Sequence, residues 1–225
     1  MSVSRTSIPG VSFSDRDDSL WLRVKAHWQI KLLLTATLNA FFWTGYAFLS
    51  RHTFFPVHAL PVTWLDAAVE FQPVPWGWIY LTEFAVTGTV PWLIASMPEL
   101  RRYVIGLLFL SLTSFLIFLF FPVASPRPPV LPVEGPVAMI VRLDGTYNAF
   151  PSLHAGFLVY TLALGLRLFG RRLHPLMVAG IGVWTALILY ATLATKQHYV
   201  LDLLAGGIIG FGAHGLAWRL RPETS

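Results

Sequence analysis

Apolar residues gather along the chain into long runs separated by short polar tufts. Six runs come close to, or exceed, the about 20 residues that a helix needs to cross about 30 Å of hydrocarbon. They are Trp28 to Leu49, Trp76 to Met97, Tyr103 to Phe121, Phe150 to Phe169, Leu176 to Thr195 and His198 to Trp218. The pattern predicts an all-α integral membrane bundle of six transmembrane helices forming a single domain over residues 1–225, preceded by a polar segment at 1–27. No internal repeat, low-complexity tract or long linker divides it. The fourth and sixth runs open on polar residues that a lipid-facing helix would not choose, and that oddity is the first functional hint.

The tufts also carry a sidedness. With six crossings, eleven basic residues fall on one side: Arg5, Arg16, Arg23, Lys25, Arg101, Arg102, Arg167, Arg171, Arg172, Arg219 and Arg221. Only Arg51, Arg127, Arg142 and Lys196 fall on the other, and Lys31 is expected to snorkel toward the basic side. Basic loops stay in the cytoplasm, so both termini are expected there. The N-terminal stretch lacks the form of a cleavable signal, and the first run reads as an uncleaved anchor. Three segments then face the non-cytoplasmic side: Ser50 to Pro75, Pro122 to Ala149 and the turn around Lys196. The first carries Asp66 and Glu70 at i, i+4 on a partly amphipathic stretch, which reads equally as a lid in the headgroup layer or as a connector.

Composition agrees with a membrane protein. Charged residues make up 12% of the chain, against about 25% in soluble domains, which excludes an ordinary soluble enzyme. The formal charge of +5 is spread over the tufts and forms no patch for nucleic acid. With no cysteine, disulfides and thiolate metal sites are ruled out.

The unusual polar residues converge on the non-cytoplasmic face. His198 and Asp202 stand at i, i+4, so the carboxylate can hold one imidazole nitrogen and leave the other free as a nucleophile or base. An acidic residue that merely favours the helix dipole would give the same spacing. His154 follows Pro151 and Ser152 at a helix start, where the Ser152 and Leu153 amides can cradle phosphate while His154 donates a proton. An ordinary N-cap with a packed histidine is the competing account. Arg127 stands between prolines and can present a pre-aimed guanidinium to phosphate. Lys196 and Arg142 are further cations on this face. Glu83, two turns into the second run, is read as a protonated interhelical hydrogen-bond partner. His214 and His174 lie toward the cytoplasm, His52 and His58 have no spaced partner, and Trp28, Trp76, Trp78 and Trp218 read as interfacial belt residues.

Phe150-Pro151-Ser152-Leu153-His154-Ala155, followed 44 residues after His154 by His198-Tyr199-Val200-Leu201-Asp202-Leu203-Leu204-Ala205-Gly206, resembles the type 2 phosphatidic acid phosphatase superfamily. The branch it is most similar to contains the inositol phosphorylceramide synthases and other inositolphosphotransferases. The resemblance covers residues 120–207 well, with a looser echo over 63–80. It implies that His198 is the nucleophile that becomes a phospho-histidine, Asp202 its orienting partner and His154 the acid for the leaving group, with Arg127, Ser152 and Leu153 on the phosphate. It implies no cofactor and no metal. Two family cations are replaced, by Phe120 seven residues before Arg127 and by Ala191-Thr192 where the third motif has Ser-Arg, and Lys196 and Arg142 are the substitutes this chain offers. The expected protein is a lipid phosphatase or headgroup transferase of the plasma or inner membrane, with its site on the non-cytoplasmic face. Its partners are a lipid phosphate donor, a water or alcohol acceptor and membrane lipids, and not nucleic acid. Transporters, which place sites near the midplane on interrupted helices, a non-catalytic scaffold, and a zinc site on His154, His198 and Asp202 are the competing classes.

Overall fold

Helix boundaries follow the polar tufts, with one exception. The computed structural model describes residues 19–127 and 134–219; Arg5, Arg16 and Arg221 of the sidedness argument and Pro128 of the first motif lie outside them. In chain order the helices are α1 (Leu20–Lys25), α2 (Trp28–Leu49), α3 (Trp64–Ala68), α4 (Trp76–Thr89), α5 (Met97–Phe120), α6 (Gly135–Leu143), α7 (Leu153–Phe169), α8 (Pro175–Ala194) and α9 (Val200–Arg219). Among the described residues, extended structure is limited to two isolated bridges.

Five helices are long and apolar enough to cross a membrane: α2, α5, α7, α8 and α9. The exception is the second apolar run. It forms α4 and then a 3₁₀ turn, Val90–Leu93, before the backbone extends at Ile94. Pro91 lies in that turn and has no N–H to give to the carbonyl four residues back, so an α-helix cannot run through it unbroken. Met97, expected to close the second span, instead opens α5, whose first turn is capped by Ser96 accepting from the Glu99 amide, with Pro98 just inside. Lys31 departs from its expected place as well. It is buried, and its ammonium donates to the carbonyls of Arg23 and Trp92, each at 2.7 Å. The charge ties α1 and the 3₁₀ turn to α2, because those carbonyls supply in place what snorkelling would seek in water.

The closest packing is between α7 and α9, and glycine makes it. A Cβ on Gly206 would overlap the Ser152 carbonyl oxygen and lie 2.9 Å from its carbon, and one on Gly210 would lie 3.0 Å from the Gly156 carbonyl carbon. Small residues let helix backbones approach in this way within a membrane. At the end of this contact the Ser152 amide donates to the Asp202 carbonyl at 3.0 Å, locking the two motif helices in register. An aromatic core fills the space toward α2 and α5, with Phe42, Tyr46, Phe115 and Phe118 in successive ring contacts.

Candidate active site

Each histidine of the site owes its position to a helix start. The first turn of α7 is capped by Ser152, whose hydroxyl accepts from the Ala155 amide at 3.3 Å, and His154 is the second residue of that helix. His198 lies two residues before α9 begins, so the pair expected one turn apart on a helix is instead a turn residue and a first-turn carboxylate. Asp202 reaches back: one oxygen accepts the Tyr199 amide at 2.9 Å and the other lies 3.2 Å from His198 Nδ1. That second approach is within ion-pair range but off hydrogen-bond alignment, and His198 Nε2 has no partner among the described residues. Both side chains are buried, Asp202 completely.

The two imidazoles face each other with ring centroids 5.3 Å apart. His154 has its own carboxylate. Its Nδ1 lies 3.1 Å from Glu83 Oε2, and its Nε2 is 2.5 Å from the Tyr80 hydroxyl. Each histidine therefore has a buried carboxylate beside Nδ1, which favours the tautomer with the proton on that nitrogen. Glu83 was read from the sequence as a neutral hydrogen-bond partner, and Tyr80 carried no sequence signal beyond its place in an apolar run. Glu83 and Tyr80 are three residues apart on α4, the spacing that puts both on one face.

Arg127 is held by two backbone carbonyls, its Nη2 donating to Asp144 at 2.7 Å and Gly145 at 2.6 Å, and its Nε has no partner among the described residues. Asp144 is buried and accepts a short hydrogen bond from the Tyr46 hydroxyl. Lys196 takes a left-handed backbone conformation (φ 53°) and donates to the Asp66 and Val69 carbonyls. Arg142 lies exposed on the last turn of α6. Of the two amides expected to cradle phosphate, that of Ser152 is taken by the Asp202 carbonyl at 3.0 Å because α7 and α9 pack so closely there, which leaves the Leu153 amide beside His154. Of the replaced cation positions, Phe120 points outward against Phe55, with ring centroids 5.4 Å apart. Thr192 is fully buried, and its carbonyl accepts the Gln197 amide under the His198 turn.

The segment 50–75 acts as a clamp on this site. A capping box joins Thr63 and Asp66 at the start of α3, and the other Asp66 oxygen accepts the Val200 amide at 2.9 Å, capping α9 from outside. The Gln72 amide donates to the Ala194 carbonyl at 2.8 Å. On the opposite flank, His58, Val123 and Asn148 pair as neighbouring extended residues, and the Thr146 amide donates to Ser50. Among the described residues no three His, Asp or Glu side chains gather as a metal site would require.

This geometry gathers one buried and one partly buried imidazole, His198 and His154, each beside a carboxylate at one end of the helix bundle. No curated protein and no solved structure matches the chain. A family model does: that of the PAP2 superfamily, membrane phosphatases and phosphotransferases acting on lipid phosphates, matches residues 99–225. That match spans more than half of the sequence and includes both histidine motifs, and the chain belongs to the PAP2 superfamily.

Proposed function

We propose that the protein transfers the phosphoryl group of a lipid phosphate ester through a covalent phospho-His198, and that its branch is the inositolphosphotransferase-like one. The observation that carries this reading is the facing pair, His198 with Nε2 free and His154 with Glu83 behind it. His198 Nε2 attacks phosphorus and the P–O bond to the lipid alcohol breaks. The departing oxygen takes a proton from His154 Nε2, displacing the Tyr80 hydroxyl from that nitrogen. In the second half-reaction the neutral His154 takes a proton from an incoming hydroxyl, whose oxygen attacks phosphorus as the P–N bond breaks. Asp202 and Glu83 hold the two rings in the tautomers these steps need, a role worth orders of magnitude where it has been measured in other enzymes. The α7 N-terminus supplies amides to the phosphate oxygens, and Arg127 a fixed positive charge.

Headgroup transfer, with an alcohol as the second hydroxyl, is favoured over hydrolysis. The Pro-Ser-Leu-His form of the second motif supports it, and so does the loss of two cations that would hold the second charge of a phosphate monoester. Six crossings with both termini in the cytoplasm fit this reading. The segment from α4 through its 3₁₀ turn spans about 29 Å at about 1.5 and 2.0 Å per residue, enough for a sixth crossing. Arg102 and Arg167 stack on Trp218 at the far end of α9 from His198. The site would then open on the non-cytoplasmic face of the plasma or inner membrane, with the Leu153 amide, Arg127 and Arg142 on its phosphate side and Lys196 bracing the turn before α9 through the Asp66 and Val69 carbonyls.

The test uses detergent-purified protein and a lipid donor labelled with ³²P in the transferred phosphate, comparing wild type with His198→Ala, His154→Ala and Asp202→Ala. Acid-labile label on the chain that requires His198, with release of a phosphorylated alcohol, is the expected result. Turnover that survives His198→Ala would overturn the covalent mechanism.

A further inference from the structure

The end of the bundle opposite His198 carries a cluster that the proposed chemistry does not use. Arg102 of α5 and Arg167 of α7 both lie over the ring of Trp218 on α9, with their guanidinium carbons 5.3 Å and 4.3 Å from its centroid. Three helices thus bring two like charges onto one indole from distant parts of the chain. A guanidinium held over a π face keeps its N–H groups for other acceptors. Among the described residues neither of these two has a hydrogen bond or an ion pair, and Glu99, one turn before Arg102, does not pair with it. Arg167 is exposed and Arg102 half-buried. Trp218 Nε1 is buried and also lacks a partner among the described residues, as does Nδ1 of His214, whose ring centroid is 5.8 Å from that of the indole. Elsewhere the chain answers its inward cations, for Lys31, Arg127 and Lys196 each donate to two backbone carbonyls.

Donors without acceptors and charges without counter-ions fit an anion. The negative ends of the α7 and α9 dipoles favour cations here but leave the guanidinium N–H groups unused. Arginine fits phosphate oxygens in forked, charge-assisted hydrogen bonds. The level is that of lipid headgroups, because the spanning helix α5 begins here while α7 and α9 end, and Leu166 and Leu216 of those two ends are exposed. We propose that the cluster of Arg102, Arg167 and Trp218 binds the phosphodiester of an anionic phospholipid in the leaflet opposite the catalytic site. Basic pockets between membrane helices take headgroups in this way. A zwitterionic lipid fits less well, since its own ammonium competes for the phosphate and is repelled by the arginines. This lipid is a resident ligand and not the substrate, for the length of α9, about 30 Å for its 20 residues, lies between it and the histidines. By bridging Arg102 and Arg167 it ties α5 and α7 together over the end of α9. The proposal is independent of the phosphoryl-transfer reading.

The test titrates dioleoyl phosphatidylglycerol and dioleoyl phosphatidylcholine into full-length protein delipidated in detergent, with native mass spectrometry counting the lipids retained. Wild type is expected to hold phosphatidylglycerol at least about tenfold more tightly than phosphatidylcholine. With Arg102→Gln and Arg167→Gln combined, that ratio should fall toward one, circular dichroism confirming that the helices remain. His198→Ala should keep the wild-type preference, which separates this lipid from one bound at the active site. No preference in wild type, a preference that survives the arginine substitutions, or its loss in His198→Ala overturns the site. Displacement of phosphatidylglycerol by millimolar sn-glycerol 3-phosphate would assign the cluster to soluble phosphate esters and overturn the lipid. The wild-type and His198→Ala measurements decide even if the arginine variant fails to fold. Because none of these measurements needs turnover, failure of the ³²P experiment leaves their result standing.

Discussion

Gly206→Ala is the most direct test of how the two motif helices set the reactive geometry. The added methyl would overlap the Ser152 carbonyl oxygen and sit 2.9 Å from its carbon and 3.2 Å from its nitrogen. Carbon atoms rest at about 3.5 to 4.0 Å, so α9 must move from α7 by about 1 Å. The obstruction is backbone at a capped helix start, which cannot rotate away as a side chain could. The shift lengthens the Ser152 to Asp202 bond and moves His198 relative to His154. Overpacking of this kind costs about 1–3 kcal/mol in stability, and a 1 Å misplacement of reacting groups costs about 10²-fold in rate. The expected result is a fall in kcat of about two orders of magnitude with a smaller change in KM, accompanied by a lower Tm in detergent. Gly207→Ala is the control, because its methyl would meet only Val159 Cγ2, at 3.7 Å, and activity and Tm should stay near wild type. The argument fails if Gly206→Ala and Gly207→Ala behave alike.

Glu83→Gln keeps the size of the side chain but removes the charge behind His154, and kcat should fall about 10²-fold with little change in KM; steady-state kinetics at wild-type rates would remove Glu83 from the mechanism. Lys196→Met strips the Asp66 and Val69 carbonyls of a charged donor and should lower stability by about 1.5–3 kcal/mol, read by chemical unfolding in detergent. A large rise in KM at unchanged stability would instead place Lys196 on the substrate. Between a phosphatidyl diester and phosphatidic acid, kcat/KM should favour the diester by at least about tenfold at neutral pH, and the reverse preference in a competition assay would argue for a phosphatase.

The sequence made the long helices legible because their ends coincide with proline, serine and charged residues: Ser96 and Pro98 open α5, Ser152 opens α7, and His174 and Pro175 open α8. It misled at Trp76 to Met97, where apolarity continues through a proline that stops the α-helix, since hydropathy registers burial in lipid and not backbone hydrogen bonding. His154, His198 and Asp202 could be singled out because polar residues at membrane helix starts are costly and therefore conspicuous. Tyr80, Tyr46 and Asp144 could not, because a tyrosine within an apolar run looks like core and an aspartate in a loop looks solvated. Asp66 carried an i, i+4 signal whose purpose was hidden, for its partner is the Val200 amide, 134 positions away in the chain. Such long-range backbone caps leave no local pattern.

The charge balance around the two histidines explains why losing two family cations need not disable such a site. Asp202, Glu83, Asp144 and Asp66 bring carboxylates to this end of the bundle, while Arg127 and Lys196 have their donors turned to backbone carbonyls. Carbonyl contacts fix a cation without neutralising it, so both still contribute field but offer fewer hydrogen bonds to an anion. A phosphodiester brings one negative charge, which a protonated His154 and the α7 amides can balance. A dianionic monoester brings a second, at a depth where each uncompensated charge is expensive. On the proposed reading, removing cations and retaining carboxylates therefore push in one direction, away from free phosphate monoesters and toward exchange of alcohols on a singly charged phosphate.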